Sequence, residues 1–146
     1  QFWRKMGISD AARLHSSDGS GLSRKNLFTP RAFCELLRGM RAHPERDTYL
    51  ASLAVSGKSG TLQGRMSEAS YRQRVMGKTG TIANVSCLSG YIIDKNNQTL
   101  VFSFLTNNFT CSSSSIRETQ DALCKWLIDL PGRQTASSAD SDAMGG

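Results

Sequence analysis

Four consecutive residues, Lys78-Thr79-Gly80-Thr81, combine a fixed positive charge, two hydroxyl donors and a position without a side chain. Such a group can hold a carboxylate and handle a proton, and the glycine leaves room for a substrate lying along the backbone. The box sits ahead of a compact apolar run, "VMGKTGTIANVSCLSGYII" over residues 75–93, which predicts that a β-strand carries it and that a second strand supports it. A near copy, "GKSGTL" at residues 57–62, lies twenty residues earlier. At most one of the two is expected to carry chemistry. By itself a Lys-Thr-Gly tripeptide is common, and most copies are no more than a lysine near a strand end.

A second group of polar residues lies in "HSSDGSGLSRKN", residues 15–26. Ser23 and Asn26 are its candidates for a site; Asp18 is placed to accept bonds from nearby backbone amides in a turn. Read without further context, this stretch is an Asx or Ser/Thr turn. His15 and His43 have no third group that would complete a triad. The four cysteines, at 34, 87, 111 and 124, show neither CxxC nor Cys/His spacing, so no zinc site is implied. Cys34 and Cys124 fall in apolar helical patterns and read as core residues; the even count of four permits disulfides without pairing them. None of the six lysines has a serine three positions earlier, so the 146 residues contain no Ser-x-x-Lys pair.

These residues need elements to position them. Residues 2–8 read as the end of a helix stopping at Gly7. Thr29-Pro30 opens a helix with a threonine cap and proline in its first turn, and Ala32, Phe33, Leu36, Leu37 and Met40 give it one buried stripe. Pro44 ends that pattern, a short helix is predicted over 47–54, and 56–71 reads as loop. Strands are predicted over 75–81, from Val85 through "VSCLSGYII", and over 99–106, the last two joined by the turn formers "DKNNQ". Ser115-Ile116-Arg117-Glu118 fits a capping box at the head of a final helix, with Leu123, Trp126, Leu127 and Leu130 on its packing face and Pro131-Gly132 as its stop. Residues 132–146 have almost no apolar content and are expected to be disordered.

The length suits one domain, here residues 1–131, with a real core. No apolar run reaches the length of a membrane span, and the first residues lack the charged and apolar regions of a signal peptide. With Gln at position 1, the chain reads as a piece of something longer or as a mature product. The net charge of +6 admits nucleic acid as a partner, but the basic residues are scattered, with no basic helix or aromatic-interleaved strand, so no specific nucleic-acid binding is expected.

Four segments then occur in order: "DGSGLSRKNLFTPRAF" (18–33), "GTLQGRM" (60–66), "GKTGTIANVSCLSGYI" (77–92) and "FSFLTNN" (102–108). Together they resemble the C-terminal part of the D-alanyl-D-alanine carboxypeptidase/endopeptidase family, the low-molecular-mass class C penicillin-binding proteins, from near residue 1 to about Leu130. The resemblance implies an α+β fold of the penicillin-binding and serine β-lactamase type, an antiparallel sheet flanked by helices, of which this chain is a partial domain. It makes residues 57–62 a family turn with Lys58 a surface lysine, and aligns Lys78 with the active-site lysine. It implies a serine-type hydrolase acting on peptidoglycan stem peptides, or on β-lactams, through an acyl-enzyme, with no metal or organic cofactor. Thr79, Gly80 and Thr81 would then bind substrate, the amide of Thr81 giving half the oxyanion hole. Ser23 and Asn26 would form the second catalytic element, although Asn26 is three residues from Ser23, where the strict pattern would use position 25. The nucleophile would lie in an upstream half of the same protein, and the location would be periplasmic or otherwise extracytoplasmic. The alternative is a non-catalytic truncated derivative acting as a binding or interaction module.

Overall fold

Among the described residues, four antiparallel strands form one sheet in which spatial order follows chain order: β1 (Ala54–Val55), β2 (Val75–Ile82), β3 (Val85–Ile93) and β4 (Thr99–Asn107). The computed structural model describes residues 2–131, so Gln1 and the tail expected to be disordered lie outside the described residues. β2 and β3 meet through the two-residue turn Ala83-Asn84, closed by the pair Ile82↔Val85, with Asn84 in the left-handed region at φ 58°. The next turn is organised by Asp94, whose buried carboxylate accepts the Asn96 and Gln98 amides, each at 2.8 Å. This second turn falls where the sequence places it.

Period-two alternation divides the sheet into two apolar faces. Val75, Leu88, Ile92 and Phe102 belong to one core, completed by Leu62, Met66 and by Cys124 and Ile128 of α4 (Ser113–Asp129). Tyr91, Met76 and Val101 belong to the other, covered by Leu37 of α2 (Pro30–Arg41) and by Tyr49 and Leu50 of α3 (Arg46–Ala51) with the nearby Leu53. Tyr91 is fully buried, and its hydroxyl donates to the Leu37 carbonyl at 2.6 Å, which ties α2 to the sheet. The Thr29 hydroxyl accepts the Ala32 amide at 3.1 Å, and Pro30 begins α2, as the cap and proline predict. The short α1 (Phe2–Lys5) runs into a turn at Gly7, φ 73°, where the Gly7 and Ile8 amides donate back to the Arg4 and Trp3 carbonyls.

Four expectations are corrected. The helix predicted over 47–54 stops at Ala51, because Leu53 turns into the core and Ala54–Val55 pairs with β2. The cap of α4 lies three residues before the expected one: the Ser112 hydroxyl accepts the Ser115 amide at 3.1 Å, and Ser115 is already helical. The packing face of α4 is Gln120, Cys124, Leu127 and Ile128, while Leu123 and Trp126 are 41% and 60% exposed. Gln120 displaces the larger apolar residues because its carboxamide donates to the Ser86 carbonyl and hydroxyl, both at 3.3 Å, so the polar side chain is satisfied on burial. Finally, Cys34 is half-buried, and only Cys124 of the two sits in the core; all four thiols are free.

Replacing Ser112 by Ala should lower stability by about 1 kcal/mol in urea unfolding, with a smaller loss for Ser115→Ala, the reverse of what a capping box at Ser115 requires. Burial pushes the Cys124 thiol up to about 12, so alkylation of the native protein near pH 8 should label exposed Cys111 and spare Cys124 until denaturant is added.

Candidate active site

The direction of backbone groups in β2 follows from its first residues. The Ser56 amide donates to the Val75 carbonyl at 2.9 Å, and the Val75 amide donates to the Ser56 hydroxyl at 3.1 Å. On the other side, the Ile93 amide donates to the Arg74 carbonyl at 2.8 Å. Alternation therefore turns the N–H and C=O groups of Val75, Gly77, Thr79 and Thr81 away from β3. β1 pairs only with Met76 and Gly77. Beyond that point no strand among the described residues pairs with the outer edge, so the backbone groups of Thr79 and Thr81 form an open edge. The Lys78 ammonium lies along it, donating to the Thr79 carbonyl at 2.7 Å.

Side chains alternate as well. Lys78 stands opposite Ser89 on the α2 side of the sheet, whereas Thr79 and Thr81 stand opposite Leu88 and Ser86 on the α4 side. The box expected to act as one cluster is thus split between two faces and reunited only at the strand edge, where Gly80 is exposed. Its close approach to β3 rests on Gly77 and Gly90, which face each other in register. A Cβ on Gly90 would run into the Met76 carbonyl oxygen and come within 2.6 Å of the Gly77 Cα.

On the α4 side, a hollow of about 190 Å³ is lined by Thr61, Thr79, Thr81, Ser86 and Cys87 together with Arg65, Arg117 and Gln120. The Thr79 hydroxyl donates to the Thr61 hydroxyl at 2.9 Å. Thr61 belongs to a one-turn 3₁₀ helix, Gly60–Leu62, anchored by fully buried Leu62. The earlier near copy of the box therefore touches the second after all, through its threonine; Lys58 is exposed. Arg65 forms an ion pair with Asp121 at 2.7 Å and also donates to the Gln120 side chain and the Arg117 carbonyl. A second, wider hollow opens beside Lys78 and Gly77, bounded by Ser52, Leu53, Ser59 and Thr61, and Thr61 stands where the two meet.

Ser23 and Asn26 lie in the segment before α2. The Ser23 hydroxyl accepts the Lys25 amide at 3.2 Å. The Asn26 carboxamide accepts the Ser17 and Asp18 amides and donates to the Asp18 carboxylate at 3.1 Å. A bridge between His15 and Leu27 closes this loop. No hydrogen bond joins Ser23 or Asn26 to Lys78 among the described residues. Thr61, Arg65, Arg117 and Gln120 escape sequence reasoning: Thr61 and Arg65 lie in the 60–66 segment that carries the resemblance, without a role there, Thr61 also in the repeated Gly-Thr of the two boxes, and nothing marks Arg117 or Gln120.

An antiparallel sheet between helices, with a Lys-Thr-Gly-Thr strand open at its outer edge, matches a known class of protein. Residues 3–130 match the D-Ala-D-Ala carboxypeptidase 3 (S13) family, and the chain belongs to it. A D-alanyl-D-alanine carboxypeptidase from an Actinomadura species is 38% identical over 135 residues, which is 89% of this chain and 24% of that protein. A penicillin-sensitive carboxypeptidase A from Dictyostelium discoideum is 31% identical over 114 residues, 73% of this chain and 22% of that protein. The crystal structure of penicillin binding protein 4 from Haemophilus influenzae shares the fold with a TM-score of 0.74 at 24% identity, covering 87% of this chain and 30% of that one. The chain therefore spans about a quarter of the length of the curated relatives it matches.

Gly90→Ala should force β2 away from β3 and lower stability by about 1–3 kcal/mol, measured by thermal or urea unfolding. Gly64→Ala, where an added Cβ meets nothing within 4 Å, is the control expected to leave the transition near its parental midpoint.

Proposed function

We propose that this chain forms one wall of a serine-type D-Ala-D-Ala carboxypeptidase/endopeptidase site, acting on peptidoglycan stem peptides in an extracytoplasmic compartment. The observation that carries the proposal is the open edge of β2 at Thr79 and Thr81, with the Lys78 ammonium lying on it. An extended peptide adding to that edge gains backbone hydrogen bonds that β1 does not use. The Thr81 amide points outward, where it is available as one donor to the oxyanion of a tetrahedral intermediate. On the α4 side the Thr81 hydroxyl offers a terminal carboxylate a donor, the Thr79 hydroxyl joins it by turning away from Thr61, and Gly80 leaves the edge between them clear. Lys78 would release the Thr79 carbonyl as the peptide takes its place, freeing its ammonium for proton transfer at the nucleophile.

The attacking serine would come from a Ser-x-x-Lys pair in an upstream half of the same protein, as none occurs in these 146 residues. A β-lactam would occupy the same edge. The hydrogen bonds of Ser23 and Asn26 are those of a self-contained turn, so the proposal rests on Lys78, Thr79, Gly80 and Thr81. The family assignment favours the peptidase over a purely non-catalytic binding module, which would keep the wall and lose the acyl-enzyme.

Labelled penicillin should leave no covalent adduct on the 146-residue chain; a label on any serine would overturn this account of the nucleophile. A protein joining an upstream Ser-x-x-Lys segment to this chain should be labelled, and Lys78→Ala should slow that labelling by about 10²–10⁴-fold. Labelling of Ser23→Ala at the parental rate would remove Ser23 from the site. Failure of the joined protein to react, with its fold intact, would favour the binding-module alternative.

A further inference from the structure

We propose that Arg117 is a specificity-determining residue of this site, supplying the charge that selects peptides ending in a free carboxylate. The inference rests on the reading of the β2 edge given above and adds a residue from α4 to it. Three hydroxyls of the α4-side hollow, those of Thr61, Thr79 and Thr81, border the edge, and no carboxylate side chain lines it. Of the two arginines that line it, Arg65 is already neutralised: its side chain is largely buried and paired with Asp121, also largely buried. Arg65 has a structural effect on its neighbour, because it donates to the Arg117 carbonyl and so fixes the turn of α4 from which Arg117 projects. Arg117 lines the same hollow and is exposed, and its guanidinium has no ion pair and no hydrogen bond among the described residues. The hollow thus carries one uncompensated positive charge next to two threonine donors, and a planar guanidinium matches a carboxylate in two parallel hydrogen bonds. A surface arginine kept for solubility has no reason to face a hollow whose other charge has been cancelled. The threonines fix where the carboxylate sits, and Arg117 makes its negative charge a requirement.

The test uses the full 146-residue chain, labelled with ¹⁵N, and two probes at millimolar concentration: N-acetyl-D-Ala-D-Ala and its C-terminal carboxamide. The acid should shift the amide signals of Thr79 and Thr81 and bind about tenfold more tightly than the carboxamide, the ratio expected for loss of one charge-assisted contact. Arg117→Gln should remove that preference while leaving carboxamide binding unchanged, and Arg117→Lys should retain part of it. Because the exposed guanidinium bonds nothing in the fold, the spectra of both free variants should match the parent away from α4. Equal acid affinity in parent and Arg117→Gln, with Thr79 and Thr81 still shifting, would overturn the role of Arg117 and leave the edge reading standing. Equal binding of acid and carboxamide by the parent would do the same. No shift at Thr79 or Thr81 with either probe would overturn the edge reading, and the proposal with it.

Discussion

Gly77 and Gly90 stand opposite one another in β2 and β3, and the space between the two backbones admits no side chain. This contact decides how the rest of the sheet is built. With β2 held so close to β3, the row Val75, Leu88, Ile92 and Phe102 closes into one core under α4, and the row Met76, Tyr91 and Val101 closes into another under α2 and α3. It also fixes which edge of β2 remains exposed. One edge is consumed by β3 along its whole length, and the other meets only the two residues of β1 and the adjoining Ser56. A strand gripped on one side and free on the other is stable and still able to accept an extended peptide, two demands that usually conflict at a sheet edge.

The irregular segment between β1 and β2 does more than its composition suggests. Ser56, fully buried, donates its hydroxyl to the Tyr71 carbonyl, gives its amide to Val75 and accepts the Gln73 amide, so one small residue closes both ends of the loop. Leu62 and Met66 anchor the middle in the core. Arg65 then crosses to Asp121, which ties the loop to α4 beside the strand edge. A pair this enclosed is held in place by its extra bonds to Gln120 and the Arg117 carbonyl, since removing either charge would leave the other buried without a partner.

Much of this was legible in the residues. Strands 75–81, 85–93 and 99–106 announce themselves by β-branched and aromatic content between turn formers, and the structure extends two of them by a single residue. Thr29-Pro30 marks the start of α2, because cap and first-turn preferences depend on neighbours in the chain alone. Reading failed where a distant partner changes the value of a residue. Gln120 looks like solvent-facing sequence and is buried, because Ser86 satisfies it. Leu123 and Trp126 look like core and are exposed, because size says nothing about which face of α4 meets β3. The final helix began early because four serines in succession, residues 112–115, offer several caps, and packing chooses among them.

The candidate site divides along the same line. Sequence by itself determined the Lys-Thr-Gly-Thr box, its strand, and the absence of a Ser-x-x-Lys pair, since all three are matters of residue type and local spacing. Tertiary structure decided that Lys78 and the two threonines lie on opposite faces, that their common ground is an unpaired edge, and that Thr61 and Arg117 join them from elsewhere. It also gave Ser23 and Asn26 a closed turn of their own. The physical reason is that alternation along a strand is local, whereas the partner that covers an edge or lines a hollow is set by packing between segments far apart in the chain.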